Sequence, residues 1–404
     1  MSSLTKKIVI GLSVAVFAYV ATGYVLGRST DDRAYRALSV YSEVLEHIQH
    51  DYVDDPSIPT VTAGALHGLV DSLDPQSGYM SPFEYTDYKQ KSANPSEASA
   101  GVALTKRIGY ISVIATLPGS PAEKAGLHLG DMIEKIAGFT TSQMTVDQAQ
   151  VLLSGASGTV VKLSVIRRGK TEPEPDELDI TLEKLAAPKL TEDKLPGDIA
   201  YLHVPEFTEG VTKEIRDALA QFNREGEHKL ILDLRDCAAG DDREGISTAQ
   251  LFLASGTIAT LKGQTVTPEV SAADASKVAW KQPVTVLIGS GTAGAAEIVA
   301  GAIGGNHRGE TIGTRTYGTA SMQKLSQLDD GSALILTVAT YYTPDGKEIA
   351  AEGVDPTTVV QTSPENAEEM EEVNPSPPSS SPDDPVVKKA IEILQAASTE
   401  RKAA

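Results

Sequence analysis

The chain has a single cysteine, Cys237, among 404 residues. That excludes an internal disulfide and any metal centre built from several thiolates, so nothing requires an oxidising compartment and nothing forbids one. Positive charge is scarce too. Against 55 Asp and Glu there are 35 Lys and Arg, a net charge of −20, which argues against nucleic acid or an anionic membrane surface as the main partner and for solubility. Of the 7 histidines, His47 and His50 share a helix face without a third ligand, the usual pattern of surface residues. No metal and no cofactor is expected.

The chain is long enough for two or three domains. At its start, Lys6-Lys7 precede residues 8–26, nineteen positions without a charge. At a rise of about 1.5 Å per residue such a run nearly spans a bilayer core. Arg28, Asp31, Asp32 and Arg33 close it. A cleaved signal peptide has a shorter apolar core, roughly 7–15 residues, and a small-x-small exit, for which Ala21-Thr22-Gly23 is the available match. The length favours an uncleaved single-span anchor over residues 1–29. Lys6 and Lys7 then keep the N-terminus in the cytoplasm of a bacterial-type inner membrane, with the globular part in the periplasm or outside the cell.

Tyr35, Leu38, Tyr41, Leu45 and Ile48 recur at helical spacing, and a second helix is predicted from about residue 60 to Leu73, stopped by Asp74-Pro75. From about residue 189 apolar runs alternate with helical patterns: Ile199-Ala200-Tyr201-Leu202-His203-Val204, a helix near 212–223, Leu230-Ile231-Leu232-Asp233, a helix near 245–254, and Val284-Thr285-Val286-Leu287-Ile288. Alternation of this kind predicts an α/β core with crossover helices, whose functional residues sit at the strand C-terminal ends, here 236–240 and 289–297. Residues 171–177 read as a solvated acidic loop and 363–382 as a disordered linker, after which Asp384-Pro385 starts a helix with Val386, Ala390, Ile393 and Leu394 on one stripe.

Residues 98–185 resemble a PDZ domain, on the strength of Gly101-Val102-Ala103-Leu104, Gly109-Tyr110-Ile111-Ser112-Val113-Ile114, Gly119-Ser120-Pro121-Ala122, Gly126-Leu127-His128-Leu129-Gly130-Asp131 and a helix near 145–153. The resemblance implies that a peptide strand adds beside Gly101, Val102, Ala103 and Leu104, with its carboxylate on backbone N–H groups, and that Ala149 and Leu152 or Leu153 shape the pocket for its last residue. An empty groove serving only as a spacer is the competing reading.

A second resemblance spans most of the chain past residue 30. Leu73-Asp74-Pro75-Gln76-Ser77, Leu230-Ile231-Leu232-Asp233-Leu234-Arg235, Gly289-Ser290-Gly291-Thr292-Ala293-Gly294-Ala295-Ala296-Glu297 and Arg315-Thr316-Tyr317-Gly318-Thr319-Ala320-Ser321-Met322-Gln323 are similar to motifs of the carboxyl-terminal processing (tail-specific) serine peptidases. This implies an α/β peptidase-like core of the ClpP/crotonase type with an inserted PDZ domain, a small β-rich α+β fold. It gives the division 1–29 anchor, 30–95 helical region, 96–186 PDZ domain, 187–362 peptidase-like core and 363–404 acidic linker with C-terminal helix.

Aligned on Glu297, the family's nucleophilic Ser falls at Gly294; aligned on Arg315 and Gln323, its general-base Lys falls at Thr319, 25 positions later. Glycine has no side chain to attack with, and a threonine hydroxyl cannot replace a neutral amine. The family's Asn-Asn-Pro-Gly-Gly strand, which helps to form the oxyanion hole, is replaced by Asp236-Cys237-Ala238-Ala239-Gly240, with Cys237 read as a buried, inert thiol. Ala239 in place of Gly is expected to distort the hole made by Ala239, Gly240 and Ala295 if the chain there needs φ > 0. Ser290, Thr292 and Ser321 are the hydroxyls available for rescue, and Lys324 the amine; the plainer reading has the hydroxyls bonded to their own turns and the lysine in water. The leading expectation is an anchored pseudo-peptidase that binds polypeptide segments or protein C-termini, or assembles with an active homologous peptidase. The competing one is an active serine endopeptidase processing exported proteins near their C-termini, and a third is an assembly scaffold.

Overall fold

A computed structural model of the chain describes residues 31–93, 97–167, 174–360 and 378–403. The expected anchor and the linker stretch 361–377 lie outside these residues. Among the described residues no helix is long and apolar enough to cross a membrane. The chain divides into a unit ending at Leu66 and a unit from His67 onward. The first contains α1 (Asp31–Asp51) and the opening turns of α2 (Ile58–Asp71). On α1, His47 Nδ1 lies 2.7 Å from Asp51 at an exposed position.

In the second unit the Leu-Asp-Pro-x-Ser run is a closed turn. Asp74 accepts from the backbone N–H groups of Gln76 (2.8 Å) and Ser77 (2.9 Å), and also from Thr337 Oγ1 at 2.9 Å, 263 residues away. It leads into β1 (Gly78–Met80) and α3 (Pro82–Ser92), which starts with a capping box between Ser81 and Glu84.

The PDZ domain follows: β2 (Ala98–Ser99), β3 (Val102–Arg107), β4 (Tyr110–Thr116), α4 (Pro121–Lys124), β5 (Met132–Ile136), β6 (Phe139–Thr140), α5 (Val146–Leu152), β7 (Ser154–Gly155), β8 (Val160–Ile166) and β9 (Asp176–Thr181). Its main sheet runs β3-β4-β5-β8-β9 with β6 on β5, while β2 pairs with β7. Alternating apolar residues of these strands, Val113, Ile133, Leu163 and Val165 among them, close a separate core. The segment read as an acidic loop is a strand from Asp176 onward, held by Arg167 Nε at 3.1 Å.

The rest is the α/β core that the alternation predicts. It comprises β10 (Thr191–Leu195), β11 (Ile199–His203), α6 (Val211–Glu225), β12 (Lys229–Asp233), α7 (Asp242–Gln250), β13 (Thr257–Lys262), β14 (Glu269–Ala272), β15 (Val284–Ile288), α8 (Ala295–Gly305), β16 (Glu310–Gly313), β17 (Ser321–Gln327), β18 (Ala333–Tyr342), β19 (Thr358–Val359) and α9 (Pro385–Ala403). Strands β11-β12-β15-β16-β19 are parallel, with β10 antiparallel at one edge. A second, antiparallel sheet takes β1-β18-β13-β14 with β17 on β18. Because β1 pairs with β18, the chain before the PDZ domain and the chain long after it share one sheet, so the PDZ domain is an insertion. Helix α7 starts at Asp242, three residues before the position expected, because Asp241 caps it by accepting from Arg243 N at 2.8 Å.

Helices α6, α7 and α8 bury their apolar faces on one side of the parallel sheet. On the other side α9 docks: Val386, Val387, Ala390 and Leu394 pack with Ile199, Tyr201, Ile231, Leu287 and Ile312, and Ile393 is only half-buried. Asp384 fixes its start by accepting from Val386 N at 2.8 Å and from Arg235 Nη1 at 2.7 Å. Arg235 also holds Asp233 at 2.6 Å, and Asp233 accepts from Tyr201 OH at 2.8 Å. Asp384→Ala removes both the cap and the ion pair and is expected to lower unfolding stability by about 2–4 kcal/mol, with Asp384→Asn, which keeps the cap, losing less than half of that in chemical denaturation.

Candidate active site

The turn between β15 and α8 is built from small residues because Thr292 must sit inside it. Thr292 is fully buried; its Oγ1 donates to Leu234 O at 2.7 Å and accepts from Gly289 N at 3.0 Å. The chain then enters α8 through Gly294, at φ 58° and ψ −121°. That is a conformation in which residues with a β-carbon are strained. A β-carbon placed on Gly294 would stand 3.9 Å from Thr319 Oγ1, with nothing nearer. The space for a nucleophile is therefore present, and it faces position 319. The two positions share a hydrogen bond from Gly294 N to Thr319 Oγ1 at 3.0 Å.

Glu297 holds the two positions together. Its carboxylate is wholly buried and accepts from Gly294 N (3.0 Å), Thr316 Oγ1 (2.5 Å), Gly318 N (2.6 Å), Thr319 N (2.8 Å) and Ala320 N (3.2 Å). Burial pushes this carboxyl above its ordinary range, and the donors of Thr316, Thr319, Gly318 and Gly294 oppose the shift. Glu297 occupies the third position of α8 and reaches back to the cap as in a capping box, without the reciprocal bond that glycine cannot make. Thr316 extends the network by accepting from Val354 N at 2.7 Å.

The expected distortion of the oxyanion strand is not found. Positive φ in this segment falls on Asp236 (58°) and Gly240 (126°), so Ala238 and Ala239 add their β-carbons to ordinary backbone. Gly240 is the position that admits no side chain, since a β-carbon there would approach Phe207 O to 2.4 Å. Phe207 clamps the strand from both sides, donating to Ala239 O (3.0 Å) and accepting from Asp241 N (2.8 Å). Ala295 begins α8 directly after Gly294, buried at 2% exposure. Cys237 is fully buried, and burial pushes its thiol further up, as expected of an inert cysteine.

Thr292 is inside the turn, Ser290 and Lys324 are exposed, and Ser321 Oγ donates to Thr319 O at 2.9 Å while accepting from Gln323 Nε2 at 2.8 Å. Gln323 itself lies exposed on β17 beside a register shift.

Among the described residues of the PDZ domain, β3 pairs only with β4 and forms an edge of its sheet. The predicted pocket residues on α5 are corrected. Ala149 and Leu153 are fully buried in the domain core, and Leu152 lines a separate cavity with Phe83 and Phe139. The residue of α5 facing the head of β3 is Gln150, whose Nε2 donates to Val102 O at 3.4 Å. Helix α5 is too short for sequence periodicity to fix its rotation. Val102 and Leu104 also pack in the core, and Gly101, Val102 and half-buried Ala103 line the cavity there.

An inserted PDZ domain beside a parallel sheet, with a glycine-capped helix facing a carboxylate-pinned loop, defines a PDZ-bearing protein of serine-peptidase architecture. Comparison with known proteins gives the family. The profile of peptidase family S41 matches residues 198–360, and that of the PDZ domain matches residues 91–166. The carboxy-terminal-processing protease of Bartonella bacilliformis is 32% identical over 82% of this chain and 77% of its own length. The carboxy-terminal processing protease CtpA of Bacillus subtilis is 30% identical over 88% of this chain and 77% of its own. A photosystem II D1 C-terminal processing protease of known structure shares the fold, with a TM-score of 0.66 at 24% identity over 85% of this chain and 92% of the other. The chain belongs to the carboxyl-terminal processing peptidases of family S41.

Two stability measurements check the site. Glu297→Gln turns an acceptor toward three or more N–H groups and is expected to cost about 3–5 kcal/mol in denaturant unfolding, whereas a solvated carboxylate would cost under about 1 kcal/mol. Gly294→Ser meets open space but strained backbone, so a loss of about 1–3 kcal/mol is expected, and no loss would show that the turn relaxes freely.

Proposed function

We propose that this member of the family captures polypeptide segments or protein C-termini without cleaving them, its PDZ edge strand and vacant cleft acting as a binding surface. The observation that carries this reading is the pairing of Gly294 N with Thr319 Oγ1 where the family places its serine and lysine. Loss of a nucleophile or base from such a unit costs on the order of a millionfold in turnover, and here both are replaced. The pinning of both positions by Glu297 supports a cleft that keeps its shape without the chemistry. The uncharged run at residues 8–26 supports a membrane-anchored protein with its globular part exported to the periplasm or cell exterior. In that setting an active homologous peptidase is a natural partner, since the same folds meet the same clients.

The second reading, an active serine endopeptidase, is favoured by family membership alone. Incubating the full chain with unfolded casein and mapping new termini by mass spectrometry separates the two. The expected result is no cleavage by the native chain and detectable cleavage once Gly294→Ser and Thr319→Lys are installed together. Cleavage by the native chain that disappears in Ser290→Ala or Lys324→Ala would establish the peptidase reading with a displaced pair.

A further inference from the structure

Between the PDZ domain and the core lies a cavity of about 280 Å³. Gly101, Val102 and Ala103 at the head of β3 line it from the PDZ side, and Asp236, Ala238 and Ala239 of the oxyanion strand line it from the core. A polypeptide added along β3 therefore runs into the same space that borders the vacant cleft. Glu206, from the loop after β11, also lines it.

Glu206 and Asp236 are half-buried, and among the described residues neither carboxylate accepts a hydrogen bond or forms an ion pair. Arg235 acts on Asp236 from its neighbouring position, but its guanidinium is committed to Asp233 at 2.6 Å and Asp384 at 2.7 Å. Burial pushes both carboxyls above their ordinary range, and Asp236, with the charge of Asp233 adding to burial, is pushed up to about 6. Carboxylates withdrawn from water without a donor or a cation are costly, and the cost is relieved by whatever brings a positive charge. A bound metal is a poor candidate for that charge, since no group of three or more His, Cys, Asp or Glu able to hold one occurs among the described residues.

Resting on the polypeptide-capture reading, we propose that this cavity receives a lysine or arginine side chain of a polypeptide held along β3, with Glu206 and Asp236 as its counter-charges. The cavity is within the size range of side-chain and small-ligand pockets, and its charge complements a basic segment where its apolar walls, Val102, Ala103, Ala238 and Ala239, accommodate the methylene stem. The same pair disfavours a terminal carboxylate inside this cavity, so a captured C-terminus places a basic side chain there and its own carboxylate elsewhere along β3.

The test titrates the full chain against fluorescein-labelled peptides of about ten alanine and serine residues. One lysine is moved along the last six positions, each peptide has a norleucine twin, and binding is read by anisotropy at about pH 7.5 and low salt. At one position lysine is expected to bind about tenfold tighter than norleucine. The difference is expected to vanish in the Glu206→Gln, Asp236→Asn double variant and to shrink in Glu206→Gln alone. Asparagine tolerates the φ of 58° that Asp236 adopts, so the double variant retains the backbone, and the single variant at Glu206 leaves it untouched. Equal binding of lysine and norleucine at every position, or a lysine preference that survives in the double variant, overturns the cationic pocket while leaving capture intact. Absence of binding by every peptide overturns capture and pocket together.

Discussion

The hydrogen bonds converging on Glu297 are the constraint on which the site depends. A buried carboxylate is tolerable only when donors surround it, and here the donors come from the helix cap at Gly294 and from the loop through Thr316, Gly318, Thr319 and Ala320. Satisfying one charge thus fixes the distance between two segments that are separate in sequence. Neither a serine nor a lysine takes part in that arrangement. The shape of the cleft is consequently a property of the scaffold.

Glycine at position 294 also bears on the stability of the same turn. A residue with a β-carbon at this position would be strained in a conformation that Gly294 adopts freely. Thr319 then fills the role left to a short polar residue, accepting the Gly294 N–H that points across the gap. The two residues are coherent as a pair: one relaxes the turn and the other satisfies it.

Much of this was legible in the sequence, for physical reasons that also mark its limits. The parallel core followed from β-branched runs alternating with helical spacing, while the alignment of positions 294 and 319 with the family's reacting pair rests on flanking motifs alone. Glu297 was visible as the acid that reaches back to a helix cap, but donors from residues 316–320 depend on tertiary approach and leave no local signal. The expectation that Ala239 would distort its strand failed because the left-handed turns fall on Asp236 and Gly240, a matter of how Phe207 clamps the chain. Ala149 and Leu153 were placed in the peptide pocket by the PDZ resemblance, whereas the rotation of a short helix is set by what it packs against. Glu206 carries no motif and becomes notable only through the cavity that it lines.

The pairing of β1 with β18 has a bearing on how the molecule comes into being. Strands β3 to β9 find their partners within a short span of chain and are able to fold as soon as they leave the ribosome, while β1 waits for residues 333–342. Until then its edge has unsatisfied N–H and C=O groups, and the nascent chain is a domain already finished inside one that is not. Closing the sheet that joins β1 to β18 therefore requires chain on both sides of the inserted domain.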